Sequence, residues 1–279
     1  MVFHDAHNHL QDAWLAPYLD RLGETLPGLG LKTAVVNGTC EGDWPEVAAL
    51  ARRFPWVRAS YGLHPWDAGN RSPAWWDSLQ ARLEAEPHAA VGEIGLDRWM
   101  LDRARPDDPR LAGLRRAPLD EQAEVCGRQL RYAAETNRPV TLHCLEAWGA
   151  LETLLRHTPC PRRGFLLHAY GGSREQIKVF ADLGAYFSFN GAFLDPRKAA
   201  RLEVFRVIPP ERLLIETDAP AMPLPQIWRT HKLRPAPDGT AINHPGNIEA
   251  AYAGLAAFLG KPVADLAAQV DENFRRLFG

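Results

Sequence analysis

Residues 89–97, Ala-Ala-Val-Gly-Glu-Ile-Gly-Leu-Asp, begin as a short apolar run and end in an acidic residue. Apolar runs of this length between turn residues are typical of β-strands. This run covers residues 89–93, and seven similar runs lie near residues 2–6, 33–37, 57–61, 139–143, 164–168, 185–189 and 213–217. Eight such runs separated by helical patterns favour an α/β protein, a parallel (β/α)₈ TIM-like barrel. An open parallel sheet is the alternative, because periodicity does not reveal strand order.

Helical patterns fill most of the gaps between these runs. They are predicted at residues 45–54, 73–86, 120–136, 146–156, 173–183, 197–207, 246–259 and 262–277. Two other segments, 97–118 and 219–247, contain several prolines and are predicted to be long loops, which in compact domains are usually functional or mobile. No linker divides the chain, so we expect one domain over residues 1–279.

The composition excludes several classes of protein. With 46% hydrophobic and 24% charged residues, the chain of 279 residues is expected to fold around a sizeable core. The net charge of −2 gives no overall basic excess for nucleic acid, so DNA binding would need a local patch or metal ions. The four cysteines are not spaced as CxxC, and neither a signal peptide nor a membrane span is predicted. A cytoplasmic protein with reduced thiols is expected.

Histidine and carboxylate residues recur where the predicted strands end. In an extended segment, residues two apart point to the same side, so His7 and His9 can converge on one ion. In a barrel, the carboxyl ends of all strands meet at the face that carries the active site. A mixture of imidazoles and carboxylates suits Zn²⁺, Mn²⁺ or a similar ion. The candidate residues at the other strand ends are His64, Glu93, His143, His168 and Asp218.

Other chemistries lack their motifs. The sequence contains no GxSxG elbow, no GxxxxGK[ST] phosphate loop and no GxGxxG before a helix. Cys144 follows His143 directly, but adjacent strand residues face opposite ways, so we expect Cys144 to pack away from the site. Trp66 and Trp99 follow strand ends, where they either pack or stack on a ring of the substrate.

The order of these motifs resembles the TatD family of metal-dependent hydrolases. The resemblance covers nearly the whole chain. It rests on Asp5-Ala-His7-Asn-His9-Leu10, Gly62-Leu-His64-Pro65, Val91-Gly-Glu93-Ile-Gly95-Leu-Asp97, Gln122 with Gln129, Pro139-Val-Thr-Leu-His143-Cys144, His168-Ala-Tyr-Gly-Gly172-Ser173, Glu216-Thr-Asp218-Ala-Pro220, Asn243-His-Pro245-Gly-Asn247 and Glu272-Asn273-Phe274-Arg-Arg-Leu-Phe278. The sequence departs from the family at Leu145, where members often have a polar residue, and in a longer segment 97–118.

The resemblance implies a site with two divalent ions, Zn, Mn or Mg. One ion would be held by His7, His9, Glu93 and Asp218. Glu93 would also bridge to a second ion held by His143 and His168. The candidate catalytic residues are Asp218, His64 and Glu216. Asp218 would accept a proton. His64 and Glu216 would either lie behind the metal ligands and contact them or contact the substrate phosphate.

The resemblance implies a phosphodiesterase or deoxyribonuclease that acts on DNA or another phosphodiester. Two alternatives stay open: hydrolysis of a small ester, amide or lactone on the same barrel, and a metal-binding scaffold with little turnover. The natural substrate, the metal and the oligomeric state are left open. Between residues 98 and 116 the chain has six arginines and three aspartates. This segment is predicted either to pair its charges locally or to hold a polyanion at the rim.

Overall fold

The computed structural model describes residues 1–279 as eight parallel strands in sequential order, with helices between them. The predicted (β/α)₈ barrel is therefore confirmed. The strands are β1 (Phe3–Asn8), β2 (Leu31–Asn37), β3 (Val57–Tyr61), β4 (Ala90–Asp97), β5 (Val140–Leu145), β6 (Phe165–Leu167), β7 (Ala185–Asn190) and β8 (Leu213–Glu216).

Helices cover the outside of the barrel, as the apolar faces of the predicted helical segments require. None of them is both long and apolar enough to cross a lipid bilayer. They are α1 (Leu19–Gly28), α2 (Trp44–Arg53), α3 (Trp75–Ala85), α4 (Trp99–Asp102), α5 (Leu119–Glu135), α6 (Trp148–His157), α7 (Arg174–Asp182), α8 (Ala199–Val204), α9 (Ile248–Leu259) and α10 (Val263–Phe278).

Two helices lie outside the helical segments that the sequence predicted. Helix α1 was not predicted at all, and the short helix α4 lies inside the segment 97–118 that was predicted to be a loop. The predicted helix 146–156 was placed two residues early, because Glu146 has a positive φ of 55° and cannot continue a right-handed helix. The eight strands were predicted to within a few residues at each end.

The barrel closes where the end of β1 meets the end of β8. The amide of Asp218 donates to the carbonyl of His7 at 3.0 Å. The buried carboxylate of Asp5 accepts from the amide of Thr217 at 3.0 Å and from its hydroxyl at 2.5 Å. A side chain thus completes the hydrogen bonding between the first and last strands, next to the predicted site.

One glycine allows β4 and β5 to approach closely beside the site. Gly95 lies opposite His143 in the register and has a positive φ of 149°. A Cβ atom at this position would lie 2.0 Å from the carbonyl oxygen of His143. Only glycine fits this backbone conformation and this spacing without displacing the neighbouring strand.

Candidate metal centre

The structure brings the predicted ligands together at the carboxyl ends of the strands. His7 lies in β1, Glu93 in β4 and His143 in β5, whereas His168 directly follows β6. His7, Glu93 and His168 are buried, and His143 is partly buried. His9 and Asp218 follow β1 and β8 and complete the set.

Four of these side chains surround one point. The imidazole Nε2 atoms of His7 and His9 are 3.1 Å apart. Glu93 Oε2 lies 3.4 Å from His7 Nε2 and 3.3 Å from His9 Nε2. Asp218 Oδ1 lies 3.5 Å from both Nε2 atoms. Ligands with bonds of about 2.0–2.2 Å to a tetrahedral ion lie about 3.3–3.6 Å apart, so this spacing fits a divalent cation.

The second oxygen of Glu93 faces a different pair of imidazoles. Glu93 Oε1 lies 3.0 Å from His143 Nδ1 and 3.0 Å from His168 Nε2. These two nitrogen atoms are 3.2 Å apart. The carboxylate of Glu93 therefore stands between two groups of ligand atoms and presents one oxygen to each.

The outer nitrogen of two histidines contacts an acceptor, which fixes the orientation of the ring. His9 Nδ1 donates to the carbonyl of Asn37 at 2.8 Å. A carbonyl cannot donate, so Nδ1 carries a proton and Nε2 is the nitrogen that faces the site. His143 Nε2 lies 3.3 Å from the carboxylate of Asp97, and Nδ1 is the nitrogen that faces Glu93. This pairing of an outer N–H with an acceptor is usual for metal-binding histidines.

Glu216 lies behind His168 and does not enter the site. Its Oε1 is 3.5 Å from His168 Nδ1. The carboxylate is fully buried and accepts hydrogen bonds from the Ser188 hydroxyl and from Asn190 Nδ2, the latter at 3.2 Å. Glu216 is therefore placed to orient the imidazole of His168.

His64 differs from the other imidazoles of the site in that its Nδ1 accepts a hydrogen bond and its Nε2 carries the proton. Its Nδ1 accepts a hydrogen bond from the backbone amide of Trp66 at 3.2 Å. Burial lowers the pKa of His64, so the ring is neutral and its proton lies on Nε2. Nε2 lies 3.4 Å from Glu93 Oε1. An N–H that points into the site suits a hydrogen bond to a substrate oxygen, whereas a metal ligand needs a lone pair there.

The two carboxylates of the site are held in the charged form. Burial raises the pKa of Glu93, but the surrounding imidazoles, above all His168, outweigh burial and hold this pKa well below its usual range. Burial likewise raises the pKa of Asp218, but a hydrogen bond from His9 and nearby imidazoles lower it overall. Buried carboxylates are usually paired with a positive charge or coordinate a metal, so charged Glu93 and Asp218 among imidazoles suit a bound cation.

Asp97 is a residue of the site to which the sequence analysis gave no role. It is fully buried, and besides His143 its carboxylate accepts from Trp66 Nε1 at 2.6 Å and from the amide of Met100 at 2.9 Å. Its backbone amide and carbonyl both bond to the side chain of Gln122. Alternation along β4 was the available signal, because Glu93 and Asp97 are four residues apart and share a face.

The tryptophans and Cys144 have mainly packing contacts. Trp66 and Trp99 stack with their ring centroids 6.3 Å apart, and the guanidinium of Arg110 covers Trp99 at 4.4 Å. Cys144 packs against the hydrophobic core, and burial raises the pKa of its thiol, so it is not an activated nucleophile.

Every arginine of the segment 98–116 has a local partner. Arg110 binds both carboxylate oxygens of Asp108, at 2.9 and 2.8 Å. Arg116 donates to backbone carbonyls of the same segment. The remaining pairs are Arg98 with Asp102, Arg103 with Glu146, Arg105 with Asp107, and Arg115 with Glu121. Of the two readings of this segment, these contacts favour local pairing of charge.

The sequence as a whole matches a known family. The profile described as TatD related DNase matches residues 4–279. The chain belongs to this family. A TatD relative, the 3'-5' ssDNA/RNA exonuclease TatD of Salmonella typhimurium, is 32% identical over 250 residues, which are 89% of this chain and 88% of that protein. The uncharacterized metal-dependent hydrolase YjjV of Escherichia coli is 32% identical over 197 residues, 70% of each chain.

Solved structures of TatD proteins have the same fold. The crystal structure of YjjV, a TatD homolog from Escherichia coli, has a TM-score of 0.83 and 27% identity, and covers 99% of this chain and 97% of that one. A TatD family hydrolase from Entamoeba histolytica has a TM-score of 0.81 at 19% identity, over 100% and 98% of the two chains. The predicted family and the predicted class, a metal-dependent hydrolase, are confirmed. The buried histidine and carboxylate groups fit a divalent metal site.

Proposed function

We propose that this protein is a phosphodiesterase that holds two divalent ions and cleaves single-stranded nucleic acid. The observation that carries the proposal is the position of Glu93, whose two oxygens face two separate groups of ligand atoms. His7, His9 and Asp218 would hold one ion with Glu93. His143 and His168 would hold the other. Imidazole and carboxylate donors favour Zn²⁺ or Mn²⁺ over Mg²⁺.

The protein's own residues have distinct tasks around these ions. When bound, two divalent ions lower the pKa of a water molecule and neutralise charge on a phosphoryl group. Asp218 is charged and its Oδ1 faces His7 and His9, so it is placed to accept the proton of the attacking water. His64 donates from Nε2 to a phosphate oxygen. Glu216 keeps the ring of His168 in place, and the pairing of Asp97 with His143 does the same on β5.

Nucleic acid is the substrate class that the relatives support. The TatD proteins of Salmonella typhimurium and Escherichia coli bear the name 3'-5' ssDNA/RNA exonuclease and match 89–90% of this chain. A centre that neutralises phosphoryl charge suits a phosphodiester. A cytoplasmic location stays a prediction from the sequence.

The test combines metal analysis with turnover. Protein purified without chelators is expected to contain divalent metal and to hydrolyse a labelled single strand in the presence of Mn²⁺, Zn²⁺ or Mg²⁺. Asp218→Asn removes the proton acceptor, and loss of a general base costs about 10²–10⁴-fold in rate. Asp182→Asn is the matched control, because Asp182 lies on α7 and is 65% exposed.

Three outcomes would contradict the proposal. One is near-normal activity in Asp218→Asn. Another is a metal-loaded protein that hydrolyses lactones or small esters but no phosphodiester. The third is a protein that binds metal and turns over none of these substrates.

A further inference from the structure

A cleft of about 590 Å³ lies between two segments that follow the first and the last strand of the barrel. One wall consists of residues 17–22, which follow β1 and begin α1. The other wall consists of residues 230–234 and His244, in the long segment after β8. Both segments follow the carboxyl ends of strands, so the cleft opens on the face that carries the ligands.

The cleft is lined by cations that have no acidic partner. Arg21, Lys232 and Arg234 line it, and none of the three lies within ion-pair distance of a carboxylate. Between Asp218 and Asp238 the chain has no acidic residue. Two nearby acids are engaged elsewhere: Glu249 pairs with His231 at 3.2 Å, and Asp20 pairs with Arg53. This contrasts with segment 98–116, where every arginine has a partner.

Hydrogen bonds connect the cleft rigidly to the metal centre. The side chain of Asn247 accepts from the amide of His231 at 2.9 Å and donates to its carbonyl at 3.1 Å. Asn247 also donates to Asn243 at 3.2 Å, and Asn243 donates to the carbonyl of Thr217 at 2.9 Å. Thr217 precedes Asp218, so the basic wall is held at a fixed position relative to the site.

The same two loops expose large apolar side chains. Trp14, in the loop after β1, is 39% exposed, and Ile227, in the loop after β8, is 88% exposed. Exposed aromatic rings and cations together are the combination that single-stranded nucleic acid binds, because bases stack on aromatic rings while phosphates contact the cations.

We propose that this cleft binds backbone phosphates of the single-stranded substrate at a distance from the bond that is cleaved. The inference rests on the proposed function and adds a subsite to it. Arg21, Lys232 and Arg234 contact successive phosphates, and their contribution is independent of base sequence. Because the metals act on the scissile phosphate alone, this subsite matters for long substrates and not for small ones.

The test compares two triple variants of equal charge. Arg21→Ala, Lys232→Ala and Arg234→Ala are combined in one protein. The control combines Arg131→Ala, Arg162→Ala and Lys261→Ala, which are exposed cations outside the cleft. Each protein is loaded with metal and titrated into a fluorescein-labelled oligothymidylate whose phosphorothioate linkages resist cleavage. Anisotropy gives the dissociation constant at several salt concentrations.

The cleft variant is expected to bind the strand at least about tenfold more weakly than the control, with a salt slope smaller by roughly 2, since each lost phosphate contact removes about 0.7. Hydrolysis of bis(p-nitrophenyl) phosphate should equal that of the control, which also shows that the variant is folded. Equal binding by the two triple variants would overturn the inference, as would an equal loss on the small substrate. If the wild type hydrolyses no phosphodiester but binds through these cations, the proposed function fails and the subsite stands.

Discussion

At the residue scale, the histidines of the site depend on the groups behind them. His143 faces Glu93 with one nitrogen and Asp97 with the other. A carboxylate behind an imidazole fixes the ring orientation and makes the inner nitrogen a better ligand. Asp97 is itself held by Trp66 and Met100, so its position does not depend on His143.

Replacing Asp97 by asparagine should weaken metal binding. The amide retains the size of the side chain but loses the charge that accepts the His143 proton. Loss of such an outer partner lowers metal affinity about 10–100-fold, which competition with a chelator measures directly. Asp102→Asn is the control, because Asp102 is exposed and pairs only with Arg98. Equal metal affinity in the two variants would remove Asp97 from the site.

Most of the candidate ligands could be predicted from the sequence because strand ends are local features. A histidine or carboxylate after an apolar run can be recognised without knowing what lies opposite. The role of Asp97 could not be predicted in this way, since it depends on the register that places β4 beside β5. The proton on His64 Nε2 also depends on geometry, namely the turn that points the Trp66 amide at Nδ1.

At the element scale, the helix that the sequence did not predict has poor local propensity. Helix α1 contains Gly23 and Pro27, and both residues disfavour helix interiors. Its Leu22 and Leu26 are four residues apart and buried, so tertiary packing of one face stabilises it. The strands were predictable because they are largely buried and most of them contain a short apolar run.

Replacing Gly95 by alanine should disturb the site by displacing the backbone of the neighbouring strand. In Gly95→Ala the new Cβ would clash with the carbonyl of His143, which moves β5 away from β4. We expect a loss of about 1–3 kcal/mol in stability, as overpacking usually costs, together with weaker metal binding. Denaturant unfolding and metal titration check both effects.

Gly149→Ala is the matched control for Gly95→Ala. A Cβ at Gly149 has no atom within 4 Å, and the residue lies inside α6. Alanine should stabilise this helix by up to about 1 kcal/mol and leave metal binding unchanged. If Gly95→Ala were as stable as this control, the close approach of β4 and β5 would not constrain the site.

At the scale of the whole molecule, the ligands connect the two ends of the sheet. His7 lies in the first strand and His9 directly follows it, whereas Asp218 follows the last strand. A cation held by all three would join β1 to β8, where a side chain of Asp5 already replaces part of the ladder. Metal binding should therefore stabilise the complete barrel and not one loop.

Adding metal should raise the melting temperature. A ligand that binds only the folded state at 100 times its Kd adds about 2.7 kcal/mol. For a chain of this size that corresponds to a rise of roughly 5–10 °C in Tm. Differential scanning fluorimetry with EDTA, and then with Zn²⁺ or Mn²⁺, measures the rise. Asp218→Asn should reduce it and Asp182→Asn should not, whereas an identical Tm with and without metal would contradict the site.

The seam between β1 and β8 also bears on how the enzyme is made in the cell. Domains generally fold from their N-terminal end during synthesis, but this centre needs His7 from the start of the chain and Asp218 from near its end. Until the eighth strand and Asp218 have left the ribosome, His7 and His9 lack the carboxylate of Asp218. Prematurely terminated chains would therefore be inert, and hydrolase activity would begin only when translation of the barrel is complete.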